Sequence, residues 1–371
     1  MAADDRAWVE VDLQCISTNV VRVRQFIGAN REIMAVVKAD GYGHGMAASA
    51  QAAVKGGATW LGVATVDEAA LLAPLNLKCP ICLLCPFAPG QAEIIGQGVV
   101  IPTIGDVEQL ETLKRHPCKP NLPIHLEIDT GMGRSGSLPQ YAVALYRRAL
   151  ELGFLPQGLS THYSDPIGAS DATLNPTQQV MFQQAYQALQ AAGAKFPWIH
   201  LDASGAIVSL DDPMGNLVRP GLLIYGIQPD TNNAVQQIAP AMSVYARVAT
   251  VRTLPAGHPI SYGGIHRLTR ESRLATVLIG YGDGYPRRLS NKGQVILGGH
   301  RAHILGAVCM DQIVVDVTDL PHVKPGDVAC CLGGPGSDKI TANEIAATIA
   351  TTVHEIPTTL TNRLPRKYVN H

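Results

Sequence analysis

The sequence has little net charge and no long apolar run. Its 29 Lys and Arg nearly balance its 30 Asp and Glu, which gives a net charge of −1 over 371 residues. Such a chain lacks the positive field that binds nucleic acid or an anionic membrane, so we expect neither partner. No apolar stretch reaches the roughly 18 residues that a membrane-spanning helix needs. Met1 to Asp5 contain two acids and no basic segment, so no secretory signal is expected.

Cysteine is also scarce, with eight residues spread over the chain. Secreted disulfide scaffolds use cysteine more densely, so we expect reduced thiols and a cytoplasmic location. Cys79, Cys82 and Cys85 have the spacing C-x2-C-x2-C, which is found at some metal sites. On the strand predicted there, residues 79 and 82 point to opposite faces. We therefore predict core cysteines and no metal site.

Strand-like and helix-like segments alternate through the first two thirds of the chain. Short apolar runs typical of strands lie at 31–38, 60–64, 80–84, 99–103, 124–128, 155–160, 198–201 and 222–227. Helical patterns lie between several of them, at 45–57, 66–72 and 139–152. About eight such repeats predict an α/β fold, a (β/α)8 TIM-type barrel over residues 10–238.

The pattern changes after about residue 239. Apolar runs at 244–254, 273–281, 294–297, 302–310 and 313–317 alternate with Gly and Pro, and helical signal is sparse until 341–352. This pattern is typical of an antiparallel sheet. We therefore predict a second, mostly antiparallel β domain over residues 239–371, with residues 1–9 packed on it.

Lys38 lies in the segment AVVKADGYGHG (35–45), where an apolar strand ends in a glycine-rich turn. The carboxyl ends of barrel strands form the active-site face of this fold. A partly desolvated lysine there has a lowered pKa and can form a Schiff base. Taken alone, a loop lysine is more often a solvated charge. The nearby GMGRSG (131–136) fits a dinucleotide-binding pattern, but residues 137–139 separate it from the next helix, and we predict a strand-end loop.

Lys38 is one of several motifs that follow one another in a fixed order. They include DTGMGR (129–134), STH (160–162), RPG (219–221), SYG (261–263), GYGDGYPR (280–287) and CMDQ (309–312), between WVEVD (8–12) and RLPRKY (363–368). In these motifs the chain resembles the alanine racemases, which depend on pyridoxal 5'-phosphate. The resemblance implies an isomerase that converts L-alanine to D-alanine for peptidoglycan synthesis. It also implies a homodimer whose active sites are shared across the subunit interface.

The resemblance also assigns roles to individual residues. It implies that Lys38 and the partner subunit's Tyr262 are the two bases, one on each face of the α-carbon. The residues expected to hold the cofactor are Lys38, Tyr42, His162, Ser204, Arg219, Gly221, Leu222 and His354. Arg134 and Met310 are expected to bind the substrate. Supporting roles are expected for Glu127, His200, Tyr281 and Asp311.

Arg219 carries the strongest chemical implication. By the resemblance it faces the pyridine nitrogen of the cofactor, with His200 orienting it. A guanidinium does not usefully release its proton, so that nitrogen stays unprotonated and side reactions are limited. A tyrosine has an ordinary pKa near 10, and His162 with Arg219 would supply the hydrogen-bond relay that Tyr262 needs as a base.

Three positions depart from the family pattern. Glu127 stands where the family usually has a lysine, often carbamylated, and we predict that it pairs directly with Arg134. His354 replaces a usual tyrosine, which suggests a relaxed preference for alanine over serine. Ala203 replaces a usual asparagine, which puts one polar contact near the phosphate in doubt.

Other functions remain open at this stage. One is a racemase of broader specificity that acts on alanine and serine. Another is a decarboxylase of the same architecture, but such enzymes carry an acid where this chain has Arg219. A non-catalytic cofactor-binding protein would be shorter and would lack the domain that bears Tyr262 and Met310.

Overall fold

The computed structural model describes residues 5–167, 170–210, 212–229, 234–334, 336 and 338–370. The chain divides into two compact units. The first, called the barrel unit here, comprises Ile16–Gly41 and Met46–Ile238. The second, called the β unit, comprises the described residues up to Cys15, Tyr42–Gly45 and those from Ala239 onward.

The barrel unit contains eight parallel strands. They are Glu32–Val36, Trp60–Val63, Ile81–Leu83, Ile101–Ile104, Pro123–Glu127, Leu155–Ser160, Trp198–His200 and Leu217–Val218. Within the described residues, each of the first six pairs with the next along the chain, and the eighth pairs with the first. A bridge between Ala203 and Arg219 joins the seventh strand's end to the eighth. The predicted barrel is therefore confirmed.

Helices follow most of these strands, and two of these helices begin at a side-chain cap. Thr65 accepts from the amide of Glu68, which in turn accepts from the amide of Thr65, and this reciprocal capping box starts Val66–Leu72. Asp106 caps Val107–Lys114 by accepting from the amide of Gln109 at 2.8 Å. The α-helices of this part of the chain are Leu13–Ile27, Met46–Lys55, Val66–Leu72, Ala92–Gly96, Val107–Lys114, Ala142–Glu151, Leu174–Ala191 and Ser204–Ser209.

The strand predicted at 222–227 is wrong. Residues Leu222–Tyr225 form a single helical turn, and the eighth strand is the two-residue segment Leu217–Val218. All four residues of the turn are buried, and an apolar run of this length reads equally well as a strand or a buried helix. Pro220 cannot donate a ladder hydrogen bond, so the strand ends before it.

The β unit is built around one long strand, Met242–Leu254. This strand pairs antiparallel with Ala7–Asp12, Ser272–Val277 and Val328–Leu332. The sheet is completed by Gln294–Leu297, His300–Leu305, Ile313–Asp316 and Arg366–Val369. The last of these pairs parallel with Ala7–Asp12, whereas the other pairings of the sheet are antiparallel, which confirms the predicted mostly antiparallel domain.

Smaller elements complete the unit. Pro259–Ile260 and His266–Arg267 form a short hairpin. Two helices lie near the end of the chain, Ala342–Ile349 and Glu355–Thr358. Single helical turns among the described residues of both units are Ala73–Leu75, Pro89–Gln91, Pro139–Tyr141, Leu222–Tyr225, Tyr262–Gly264, Tyr281–Asp283 and Arg287–Leu289. Over the described residues, no helix has both the length and the apolar character to cross a membrane.

Candidate active site

Lys38 stands just beyond the carboxyl end of the barrel strand Glu32–Val36. The backbone turns sharply after it, since Ala39, Asp40 and Gly41 have φ values of 53°, 52° and 61°. This left-handed conformation is unfavourable for residues other than glycine, so it must be held by other contacts. Its effect is to stop the strand at Lys38 and place the lysine at the active-site end of the barrel.

Two carboxylates hold this turn. Glu68 accepts hydrogen bonds from the amides of Ala39 and Ala64, both at 2.7 Å. Asp40 accepts from the amide of Met46 at 2.9 Å. A side chain at Gly41 would place its Cβ 2.8 Å from the Ser49 hydroxyl, so glycine is required there. These contacts fix the backbone from which Lys38 extends.

Arg219 lies at the centre of the hydrogen-bond network of the barrel site and is only 5% exposed. Its Nη2 donates to the carbonyl oxygens of Thr161 and Leu201, both at 2.9 Å, and to His162 Nδ1 at 3.2 Å. Its Nη1 donates to His200 Nδ1 at 2.8 Å and to the His200 carbonyl oxygen. Within the described residues its Nε–H has no acceptor, so this donor is available to a ligand.

The two histidines bound to Arg219 are neutral. Burial and the charge of Arg219 lower the pKa of His162 to about 3 and hold the pKa of His200 well below its ordinary value. Because an arginine can only donate, each histidine must accept at Nδ1 and carry its proton on Nε2. The His162 Nε2–H is therefore a fixed donor, which suits stabilisation of a nearby anion.

A third histidine, His125, extends this chain and was missed in the sequence. His200 Nε2 lies 2.8 Å from His125 Nδ1, and burial lowers the pKa of His125 to about 3. His125 and Glu127 stand two residues apart on one barrel strand and so point to the same face. Two polar residues at that spacing in the run PIHLE were the available signal.

The turn after the eighth strand forms a group of donors around Ser204. The Ser204 hydroxyl accepts from the amides of Gly221 at 2.9 Å and Leu223 at 3.3 Å. Its own proton and the amide of Leu222 meet no acceptor in the described part of the chain. Ser204 and Leu222 are both buried. The backbone here presents donors of the kind that phosphate oxygens bind.

The structure corrects the predicted pair of Glu127 with Arg134. The Glu127 carboxylate accepts a hydrogen bond from the Ser135 hydroxyl at 2.8 Å, and among the described ion pairs there is none between Glu127 and Arg134. Burial raises the pKa of Glu127, while Ser135, Arg219 and Arg134 act to lower it. Arg134 is exposed on the loop that follows the strand, and Glu127 anchors that loop through Ser135.

In the β unit, Tyr262 stands on an exposed turn. The residue before it, Ser261, has a φ of 61°, and its hydroxyl donates to the carbonyl of Ala307 at 2.6 Å. Tyr262 itself is 74% exposed. This turn therefore presents the Tyr262 side chain to solvent.

Two further loops of the β unit carry the other predicted residues. The amides of Tyr281 and Gly282 donate to the carbonyls of Cys309 at 3.0 Å and Met310 at 2.8 Å. Met310 is 52% exposed, and its amide has no acceptor within the described residues. Asp311 forms an ion pair with Arg363 at 2.6 Å, so its predicted bracing role has a definite partner.

Tyr42 and His354 lie near each other in the β unit, with ring centroids 6.1 Å apart. Tyr42 is buried, and burial raises its pKa to about 12, so it is a neutral phenol at ordinary pH. His354 is exposed, and its Nδ1 lies 3.0 Å from the Thr352 hydroxyl.

The three cysteines of the C-x2-C-x2-C segment lie in and beside one barrel strand, Ile81–Leu83. Cys82 is buried in the barrel beside Thr103. Cys79 and Cys85 are half-buried, one before and one after this strand in the sequence. In the described part of the chain no three His, Cys, Asp or Glu side chains are grouped as a metal site.

Family models for the alanine racemase N-terminal and C-terminal domains match residues 11–229 and 241–368. The alanine racemase of Halothermothrix orenii is 37% identical to this chain, and the match covers 98% of the chain and 97% of that protein. The alanine racemase of Nostoc sp. is also 37% identical, with 97% and 95% covered.

Solved structures show the same similarity. The alanine racemase of Streptomyces lavendulae matches with a TM-score of 0.92 and 31% identity, covering 99% of this chain and 98% of that one. The alanine racemase of Bartonella henselae, with covalently bound pyridoxal phosphate, matches with a TM-score of 0.85 and 30% identity. That match covers 99% of this chain and 100% of the other.

Proposed function

The chain belongs to the alanine racemase family, and on that premise we propose that it interconverts L- and D-alanine with pyridoxal 5'-phosphate as cofactor. The reaction uses two bases, Lys38 and the partner subunit's Tyr262. The observation that carries the proposal is the position of Lys38 at a barrel strand end, in the same unit as a buried arginine bound only by neutral groups.

The donors of the barrel unit suit this cofactor. Family members depend on pyridoxal phosphate, and the residues that would hold it here are Lys38 through Nζ, Ser204 and the amide of Leu222 at the phosphate, and Arg219 at the ring nitrogen. Tyr42, Gly221 and His354 belong to the same proposed set. When bound, the cofactor withdraws electron density from the α-carbon of an attached amino acid and makes its proton more acidic.

Arg219 determines the state of the ring nitrogen. Its Nε–H can only donate, so a nitrogen that faces it must accept and therefore carries no proton. Burial lowers the pKa of Arg219, while the charges of Asp202 and Glu127 raise it. Three backbone carbonyls and two neutral histidines surround its terminal nitrogens, and this arrangement keeps the guanidinium in place.

The two bases act on opposite faces of the α-carbon. Lys38 takes or returns a proton on one face, and the partner subunit's Tyr262 does so on the other. A phenol needs help to act as a base near neutral pH. The fixed Nε2–H of His162 supplies it, because a hydrogen bond donated to a phenolate favours the charged form.

The substrate carboxylate is bound by Arg134 and by the amide of the partner's Met310. Glu127 holds the Arg134 loop through Ser135, and the partner's Tyr281 and Asp311 support the opposite side. Because a subunit then needs its partner to complete each site, the active form is a homodimer. Its product is D-alanine for peptidoglycan, made in the cytoplasm, where free thiols such as the eight found here persist.

The test uses single variants and a mixture of them. Tyr262→Phe should abolish racemisation but retain the absorbance of bound cofactor, whereas Lys38→Ala should lose both. Tyr141→Phe, an exposed tyrosine of the barrel unit, and Lys55→Ala serve as matched controls.

Mixing Lys38→Ala with Tyr262→Phe subunits should restore roughly a quarter of the wild-type rate, since half of the dimers are mixed and each has one intact site. No recovery after demonstrated subunit exchange would contradict the shared site. Release of CO2 from the substrate without racemisation would show a decarboxylase and overturn the proposal.

A further inference from the structure

A chain of ion pairs connects the first strand of the β unit to the loop that carries Met310. At its centre is Asp283, whose side chain is 0% exposed. Arg6 binds both oxygens of this carboxylate, at 2.5 and 3.0 Å. Arg363 Nε lies 3.4 Å from Asp283 Oδ1, and Arg363 Nη2 lies 2.6 Å from Asp311 Oδ1. Arg363 therefore bridges a buried acid and an exposed one.

Arg363 is also packed against the backbone of the Tyr281 loop. A Cβ built on Gly282 would lie 2.2 Å from Arg363 Nη1 and 3.1 Å from the Met310 carbonyl oxygen. Thr361, two residues before Arg363, is bound to this loop by its amide to the Asp283 carbonyl at 3.0 Å. The guanidinium thus packs directly on the backbone of Gly282, while 44% of the Arg363 side chain stays exposed.

We propose that Arg363 is a positioning residue that sets the affinity for the substrate carboxylate by fixing the loop of residues 309–312. The inference rests on the proposed function, in which the Met310 amide binds that carboxylate. The Met310 amide has no acceptor in the described part of the chain. The next residue, Asp311, forms an ion pair with Arg363.

Two physical effects make Arg363 matter for binding. The first is geometric, because the Asp311 contact and the packing on Gly282 fix the direction of the Met310 amide. The second is electrostatic, because Asp311 is a negative charge one residue away from a group that must receive another negative charge. Pairing with Arg363 offsets its repulsion of a carboxylate. Loss of the arginine removes both effects.

Arg363→Gln should therefore raise the KM for alanine by about tenfold while kcat changes much less, the pattern of an interaction made equally in the ground and transition states. Both enantiomers share the carboxylate, so the KM values of L- and D-alanine should rise together. The inhibition constant of acetate, a probe that has only the carboxylate, should rise by a similar factor.

The matched control is Arg270→Gln, which removes an exposed ion pair of the same unit, Arg270 with Asp319 at 2.7 Å. Arg363→Lys keeps the charge and should recover part of the affinity. In Asp311→Asn the repulsive charge is absent, so adding Arg363→Gln to it should cost less than in the wild type.

The cofactor absorbance and the melting temperature of each variant separate binding from folding. An acetate affinity of Arg363→Gln equal to that of Arg270→Gln would overturn the inference, as would loss of cofactor or a fall confined to kcat. Those results, with a wild-type enzyme that racemises alanine, would leave the proposed function standing. A wild type that does not racemise alanine would overturn both.

Discussion

Gly158 offers a direct test of the buried histidine chain. It lies opposite His125 on the neighbouring barrel strand, and a Cβ built there would be 2.3 Å from the Cγ and Cδ2 atoms of the His125 ring. An ordinary contact would need more than 3 Å, so in Gly158→Ala the ring must move by about 1 Å. His125 is completely buried, so the ring has to move against packed neighbours.

The cost has two parts. Overpacking a core by one methyl group costs roughly 1–3 kcal/mol. Displacement of the ring also breaks the 2.8 Å hydrogen bond between His125 and His200, and a buried polar group left without its partner costs about 1–3 kcal/mol. We therefore expect Gly158→Ala to lower the free energy of unfolding by about 3 kcal/mol. Because His200 orients Arg219, cofactor affinity should fall as well.

Urea unfolding and cofactor titration of the same samples measure these two effects. The control is Gly90→Ala, at an exposed glycine with no atom within 4 Å of the added Cβ, which should stay within about 0.5 kcal/mol of the wild type. In His125→Ala the ring is absent, so adding Gly158→Ala to it should cost little. If Gly158→Ala alone matched the wild type in stability, the packing argument would be wrong.

Two further predictions concern pH and specificity. The pKa of His162 is lowered to about 3 in the fold against an ordinary 6.5, so below about pH 6.5 only the unfolded state gains the proton. On acidification, this group should lower the free energy of unfolding by up to about 1.4 kcal/mol per pH unit. His162→Gln should therefore flatten the pH dependence of the free energy of unfolding between about pH 6.5 and 4. An unchanged slope would contradict the assignment. His354 is exposed where the family has a tyrosine, and His354→Tyr should lower the ratio of kcat/KM for serine to that for alanine. An unchanged ratio would refute the relaxed specificity.

The barrel was predictable because strand and helix patterns are local. The pattern at 66–72 matches the helix Val66–Leu72, and the run at 155–160 matches the strand Leu155–Ser160. The eighth strand was not predictable, because it has only two residues and the apolar turn next to it gives a stronger strand signal. Hydrophobicity alone does not show that Leu222–Tyr225 forms a helical turn that leaves the Leu222 amide available as a donor.

The site was predictable only where residue type implies chemistry. Lys38 could be placed at a strand end from its flanking residues, but the contact that holds its turn comes from Glu68, which lies beyond the next strand. Likewise Glu127 was expected to pair with Arg134, because it stands where the family usually has a carbamylated lysine next to that arginine. The fold instead brings Ser135 to its carboxylate, because the loop returns to the end of the strand, and such a return has no local signature.

The charge of Arg219 and the neutrality of its histidines depend on each other. Among the described ion pairs none involves Arg219, so its guanidinium is stabilised by lone pairs rather than by a carboxylate in contact. A histidine can provide that lone pair only when it is unprotonated. The positive charge of Arg219 is itself one of the causes that keep the pKa of His162 and His200 low. A contacting carboxylate would supply the same attraction, but it would also add a negative charge that offsets the charge of the arginine. Neutral imidazoles and carbonyls hold the guanidinium at the barrel site without adding such a charge. Toward a ring nitrogen, this cation can only donate a hydrogen bond.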